Sequence, residues 1–148
     1  MGKYTHNEND SWKWRQAIHT DVEGILDLVD QNYSQEIQGI FTPSRTRMAY
    51  HLHKSIIDQS YQTNQGLVTV AEDKITKKII GWAMIVRGRY QVYADEEMAV
   101  AEFAHVDLHL SNRTKLTLVA QILEQWICWC DLHQIPVLSS SSIRVDQQ

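Results

Sequence analysis

The pattern of hydrophobic and polar positions changes period several times along this chain, and each change marks an element. From Trp12 to Ile18 the residues alternate, with Trp12, Trp14, Gln16 and Ile18 on one side and Lys13, Arg15 and Ala17 on the other, which reads as a half-buried strand. Thr20 then stands where an N-cap belongs, and Glu23 three residues on completes a capping box. Val22, Ile25, Leu26, Leu28 and Val29 follow at helical spacing, with Asp21 and Glu23 at the positive end of the helix dipole. Thr42-Pro43 breaks the mixed segment 34–43. Ser44 can cap a second helix that carries Met48, Leu52, Ile56 and Ile57 to about Tyr61.

The second half opens with strands. Leu67–Ala71 and Ile79–Val86 are apolar runs joined by a turn at Asp73–Lys77, which predicts an antiparallel hairpin. Arg87-Gly88-Arg89-Tyr90 reads as a turn with solvated arginines, and Asp95-Glu96-Glu97 as an acidic linker before a long strand, Ala99–Leu110. Leu116–Ile135 is the best helix: Leu116, Val119, Ala120, Leu123, Ile127, Cys130 and Leu132 form an apolar stripe of period 3.6. Pro136 stops it, and Val137-Leu138 opens a last strand that runs into Ser139–Ser142. The order is strand, helix, helix, three strands, helix, strand, without an internal repeat.

With 148 residues the chain predicts one domain, residues 12–148, behind a loose polar tail, residues 1–11. A net charge of -4 gives no electrostatic reason to expect nucleic acid or an anionic membrane as a partner. No run approaches 18 consecutive apolar residues, and the first ten residues hold no apolar signal core. Cys128 and Cys130 lie two apart on the long helix and point in different directions, so a mutual disulfide is not expected and a reducing, cytoplasmic setting fits. The five tryptophans read mostly as core.

Several segments in this order resemble the GNAT (N-acetyltransferase) superfamily. Arg15–Leu28 is similar to the family's opening strand and first helix. Val70-Ala71-Glu72-Asp73 with Ile79-Ile80-Gly81-Trp82-Ala83 is similar to its central hairpin, and His105–Leu110 with Leu118–Leu123 to the cofactor strand and the helix after it. The resemblance spans roughly residues 14–143. It implies an α/β fold with a mixed, mostly antiparallel central sheet and flanking helices. It also implies a further helix and two strands after the strand that begins at Val137, including a Tyr general acid. The chain stops at Gln148, so those elements are expected to be absent, supplied by a partner chain, or lost if the sequence is a fragment.

The resemblance further implies acyl transfer from acetyl-CoA to an amine, a reaction that needs a base for the ammonium and an oxyanion donor. A Glu on the cofactor strand fills the first role in many such enzymes; Glu102 is so placed, with Glu97 or Asp107 as substitutes. Backbone N–H groups near Val106 to Leu108 would donate to the oxyanion, and the backbone there would pair with the pantetheine arm. A loop of pattern Arg/Gln-x-x-Gly-x-Gly/Ala would hold the pyrophosphate at a helix N-terminus. The register puts that loop at Arg113-Thr114-Lys115-Leu116-Thr117-Leu118, so Val106, Leu108, Arg113, Thr114, Lys115 and Thr117 are the expected cofactor contacts. Leu116 and Leu118 stand where small residues belong and are expected to crowd the phosphates. The rival expectation is a non-catalytic GNAT-like protein that works through protein contacts or a homo-oligomer, as in tailed bacteriophages, where it would act in the host cytoplasm or the virion.

Two weaker constellations remain. His105, Asp107 and His109 alternate on the long strand and would share one face, a bare framework for a divalent metal; a polar strand face is the plainer reading, and no metal is expected. His51 and His53 sit on one helix and point apart.

Overall fold

The computed structural model describes residues 11–36 and 42–140. The expected tail up to Asp10 and the serines beyond Ser140 lie outside the described residues. Strands β1 (Trp12–Gln16), β2 (Gly66–Asp73), β3 (Ile79–Tyr90), β4 (Glu97–Val106) and β5 (Val137–Ser140) form one sheet in sequence order. The first four are antiparallel neighbours, and β5 pairs parallel to β4. Helices α1 (Val22–Glu36) and α2 (Arg45–Tyr61) cover one face, and α3 (Asn112–Leu132) covers the other. This is the mostly antiparallel α/β architecture expected from the sequence.

Strand alternation divides the core into two layers. Val68, Val70, Trp82 and Met84 point to α1 and α2, where they meet Ile25, Leu26, Leu52 and Ile56. Ala71, Ala83 and Ile85 point to α3 with Trp12 and Trp14. All five tryptophans are buried, and Trp12 and Trp14 both donate their indole N–H to Gln121 Oε1 on α3, at 2.9 and 2.8 Å. Gly24 allows α1 to lie close on the sheet: a Cβ there would come within 2.9 Å of Ile79 Cγ1.

Three expectations change in detail. Asp21, not Thr20, organises the entry to α1: its buried carboxylate accepts from the Ile18 N–H at 2.8 Å and takes both arms of the Arg15 guanidinium at 2.7 and 2.8 Å. That fork, from a neighbouring strand, pairs bidentately with a carboxylate, which no local pattern reveals; it holds the Arg15 guanidinium above its ordinary pKa. Arg87-Gly88-Arg89-Tyr90 is not a turn but the end of β3. Between the Val86↔Val100 and Arg89↔Met98 pairs β3 carries one residue more than β4, and Gly88 takes a positive φ of 87° in that bulge.

The third change concerns α3. Its buried face is Leu118, Ile122, Gln125, Trp126, Trp129 and Cys130, whereas Leu116, Val119, Leu123, Ile127 and Leu132 of the expected stripe are exposed. The helix is apolar on two faces, and the one with two tryptophans buries the larger area. It also ends at Leu132 rather than Ile135. Gln134 adopts φ 57°, its N–H bonds Asp131 O at 3.2 Å, and the Ile135 N–H bonds Cys130 O at 2.8 Å. That is a Schellman closure made without glycine.

Candidate active site

The site begins with a defect in the ladder. Met84 pairs with Phe103 and Ile85 with Ala101, which leaves Glu102 as an extra residue in β4. Before it, Ala99 and Ala101 face α3; after it, Phe103 faces α1 and α2 and stacks on Trp82 at 5.4 Å between ring centroids. Plain alternation after Ala101 turns Glu102 toward α2, and the extra residue of the bulge re-aims the side chains beyond it, so Phe103 faces the same side. Glu102 Oε1 lies 3.6 Å from His51 Nε2, is itself buried, and has no hydrogen-bond partner, while the carboxylate as a whole keeps about a quarter of its surface. The His51 ring meets Phe103 edge-on with centroids 6.5 Å apart. His51 and His53 do point apart: His53 Nδ1 instead faces His19 Nδ1 at 3.1 Å.

Among the described residues, β5 pairs with β4 from Met98 to Ala101. Beyond it, the backbone of β4 and the residues after it is held from β3 and α1. The Asp107 N–H donates to Ile80 O at 2.9 Å, the Leu108 N–H to Gln31 Oε1 at 2.8 Å, and Val106 O accepts from Asn32 Nδ2 at 3.1 Å. Since Asp107 faces β3, ladder alternation turns the Val106 N–H to the other edge. Of the three N–H groups expected to serve an oxyanion, those of Asp107 and Leu108 are therefore already committed.

The expected phosphate loop is not a loop. Arg113–Leu118 lies wholly inside α3, whose N-cap is Ser111. Ser111 Oγ accepts from the Thr114 N–H at 3.2 Å, Ser111 O accepts from the Lys115 N–H at 3.0 Å, and Thr117 Oγ1 donates to Arg113 O at 3.0 Å. The helix itself leaves the N–H groups of Asn112 and Arg113 unused. Of the two leucines expected to crowd the phosphates, Leu118 is fully buried beneath the helix, and Leu116 is 70% exposed on its outer side. What replaces a glycine loop is an ordinary capped helix start flanked by Arg113 and Lys115. The helix dipole, two N–H groups and two cationic side chains are groups that attract a phosphate, with fewer backbone donors than a wrapping loop supplies.

The substitutes for Glu102 are otherwise engaged. Glu97 receives the Arg87 guanidinium at 2.7 and 2.8 Å and the Gly88 N–H at 3.0 Å; the Arg87 hydrogen bonds hold its carboxyl below the ordinary value. Burial pushes the Asp107 carboxyl up, but hydrogen bonds from the His109 N–H, Gln31 and Lys78 bring it below its ordinary value on balance. The expected strand through Leu110 ends at Val106, so His105, Asp107 and His109 do not share a face. His105 Nδ1 accepts from the Trp82 indole at 3.1 Å, and among the described residues no three His, Cys, Asp or Glu side chains gather as metal ligands. Burial raises the Cys130 thiol pKa and keeps it in the core.

Sequence reading missed Gln31 and Asn32, which carry no motif, and Ser111, whose position one residue before a helix start is a recognisable cap signal.

No protein-family model matches the sequence, and no curated protein is a significant match. Solved structures match in fold. Glucosamine-6-phosphate N-acetyltransferase from Arabidopsis thaliana is similar with a TM-score of 0.65 at 14% identity, over 89% of this chain and 82% of that one. An aminoglycoside N-acetyltransferase in complex with CoA has a TM-score of 0.65 at 15% identity, over 90% and 78%. A ribosomal-protein-alanine N-acetyltransferase from Brucella melitensis has a TM-score of 0.58 at 12% identity, over 90% and 82%.

Proposed function

We propose that this chain, which has the GNAT N-acetyltransferase fold, transfers an acyl group from acetyl-CoA to an amine, with Glu102 as general base. The observation that carries the reading is the bulge that lifts Glu102 out of the ladder and sets its unpartnered carboxylate oxygen beside His51. Support comes from neighbours of the same fold that are N-acetyltransferases, one of them in complex with CoA.

Acetyl-CoA, when bound, supplies an activated thioester carbonyl. Arg113, Lys115 and the start of α3, with Thr114 and Thr117 in its first turns, hold the diphosphate end. Val106 and Leu108 border the arm, with the Val106 N–H directed away from β3. Glu102 Oε1 takes a proton from the incoming ammonium, freeing the amine lone pair. His51 holds that carboxylate in place from α2. The amine acceptor enters on the α2 side of β4, beside Phe103.

Thermal melting with and without acetyl-CoA tests the reading. Ligand at 100 times its dissociation constant raises stability by about 2.7 kcal/mol. An unchanged melting temperature at millimolar acetyl-CoA would sink it.

A second reading, a binding module without catalysis, draws on one observation. The outward face of α3 exposes Leu116, Val119, Leu123 and Ile127 at helical spacing, a stripe suited to a protein partner or a second copy. In that case acetyl-CoA leaves melting unchanged, and Leu123→Glu with Ile127→Glu alters the mass in solution.

A further inference from the structure

We propose that the cleft between the β1–β2 edge of the sheet and the C-terminal half of α3 is a second ligand site, for a small neutral aromatic molecule that carries a carbonyl acceptor. The cleft measures about 330 Å³, at the lower end of the range for small-molecule sites. Trp14, Thr69, Gln125 and Trp129 line it from the core, and Leu132 and His133 stand at its rim. It faces α3, whereas Glu102 and His51 meet on the α2 side of the sheet, so the two sites are separate.

Gln125 is the telling residue. It comes three positions after Ile122 and precedes Trp126 and Trp129 on the buried face of α3, where an apolar side chain is the default. Its Oε1 accepts from Thr69 Oγ1 at 2.9 Å, which fixes the amide, while its Nε2 is buried with no hydrogen-bond partner. An unmet buried donor costs on the order of 1–3 kcal/mol, and Gln125 lines the cleft, so an outward turn of its side chain brings that donor to a ligand carbonyl.

The other lining groups set the ligand's character. The Trp14 indole N–H is committed to Gln121, so that ring offers its apolar surface. Trp129 adds a second aromatic wall, with the His133 ring edge-on at 4.9 Å. Burial holds His133 below its ordinary pKa, which favours the uncharged ring. Arg15 borders the cleft, but its guanidinium is taken by Asp21 and Glu72. Two aromatic walls, one directed amide donor and no uncommitted charge favour a neutral aromatic amide or heterocycle over an anion or a cation.

Benzamide, which has both features, and toluene, which lacks the acceptor, are suitable probes. Titrated into the ¹⁵N-labelled full chain, benzamide is expected to shift the Trp14 and Trp129 indole and Gln125 amide signals saturably at millimolar concentration. Gln125→Met should weaken benzamide about three- to tenfold, the loss of one neutral hydrogen bond, and leave toluene unchanged. Leu132→Trp, a change at an exposed rim position that cannot disturb the core, should close the mouth and weaken both. Shifts that are absent or that map elsewhere overturn the site. Unchanged benzamide affinity in Gln125→Met overturns the role of the amide, and unchanged affinity in Leu132→Trp overturns the placement.

Discussion

Glu102 on β4 and His51 on α2 approach to 3.6 Å, and the carboxylate oxygen at that contact is buried without a hydrogen bond. A protein oxygen so placed is costly unless it is used. Glu102→Gln keeps the shape and removes the base, so acetyl transfer to an amine should fall by roughly 10²–10⁴-fold. Melting with acetyl-CoA should still rise, because the substitution leaves α3 untouched. His51→Ala should lower turnover less and move the pH profile of turnover. Thiol release from acetyl-CoA reads turnover in both variants; full activity in Glu102→Gln would remove the proposed base.

The two leucines of the expected phosphate loop now separate. Leu118 is core and Leu116 is surface. Leu118→Ala should cost about 2–5 kcal/mol by denaturant unfolding, while Leu116→Ala should stay within about 0.5 kcal/mol of the parent. Equal effects of the two would show that α3 is rotated from the orientation described.

Gln121 accepts from two indoles at once, Trp12 and Trp14. Gln121→Leu leaves both donors without that acceptor and should destabilise the chain by about 1–3 kcal/mol. Tryptophan emission should shift as the two rings reorganise. An unchanged denaturation midpoint would mean that the shared acceptor contributes nothing.

Asp107 sets an acid limit on stability. Its folded carboxyl titrates below the ordinary value of 3.8, so in acid the unfolded chain binds the proton more readily than the folded one. The resulting stability is complete above the unfolded value and is lost as pH falls through the folded value. Melting temperature should therefore decline as the pH falls below about 5. In Asp107→Asn the protein should melt lower at neutral pH and lose less on acidification; a curve parallel to the parent's would exclude the carboxylate as the cause.

Local chemistry explains what could be read in advance. The alternation that starts at Trp12, the apolar run 67–71 and the Ser44 cap each depend on near neighbours in the chain, and each element appears where its pattern lies. Glu102 was legible only through a family likeness. Its partner His51 is 51 positions away in sequence and had no local signal at all. The helix α3 starts at Asn112, before the apolar pattern that opens at Leu116, because Ser111 caps it.

The sequence by itself determined the order of strands and helices, the α/β class and the burial of the tryptophans, because period, capping and apolar area act over a few residues. Only the tertiary structure decided which of the two apolar faces of α3 turns inward, since the choice depends on what the sheet offers to Trp126 and Trp129. The fold also decided that β4 carries its extra residue at Glu102. A bulge is a mismatch between two strands, and neither strand encodes it alone.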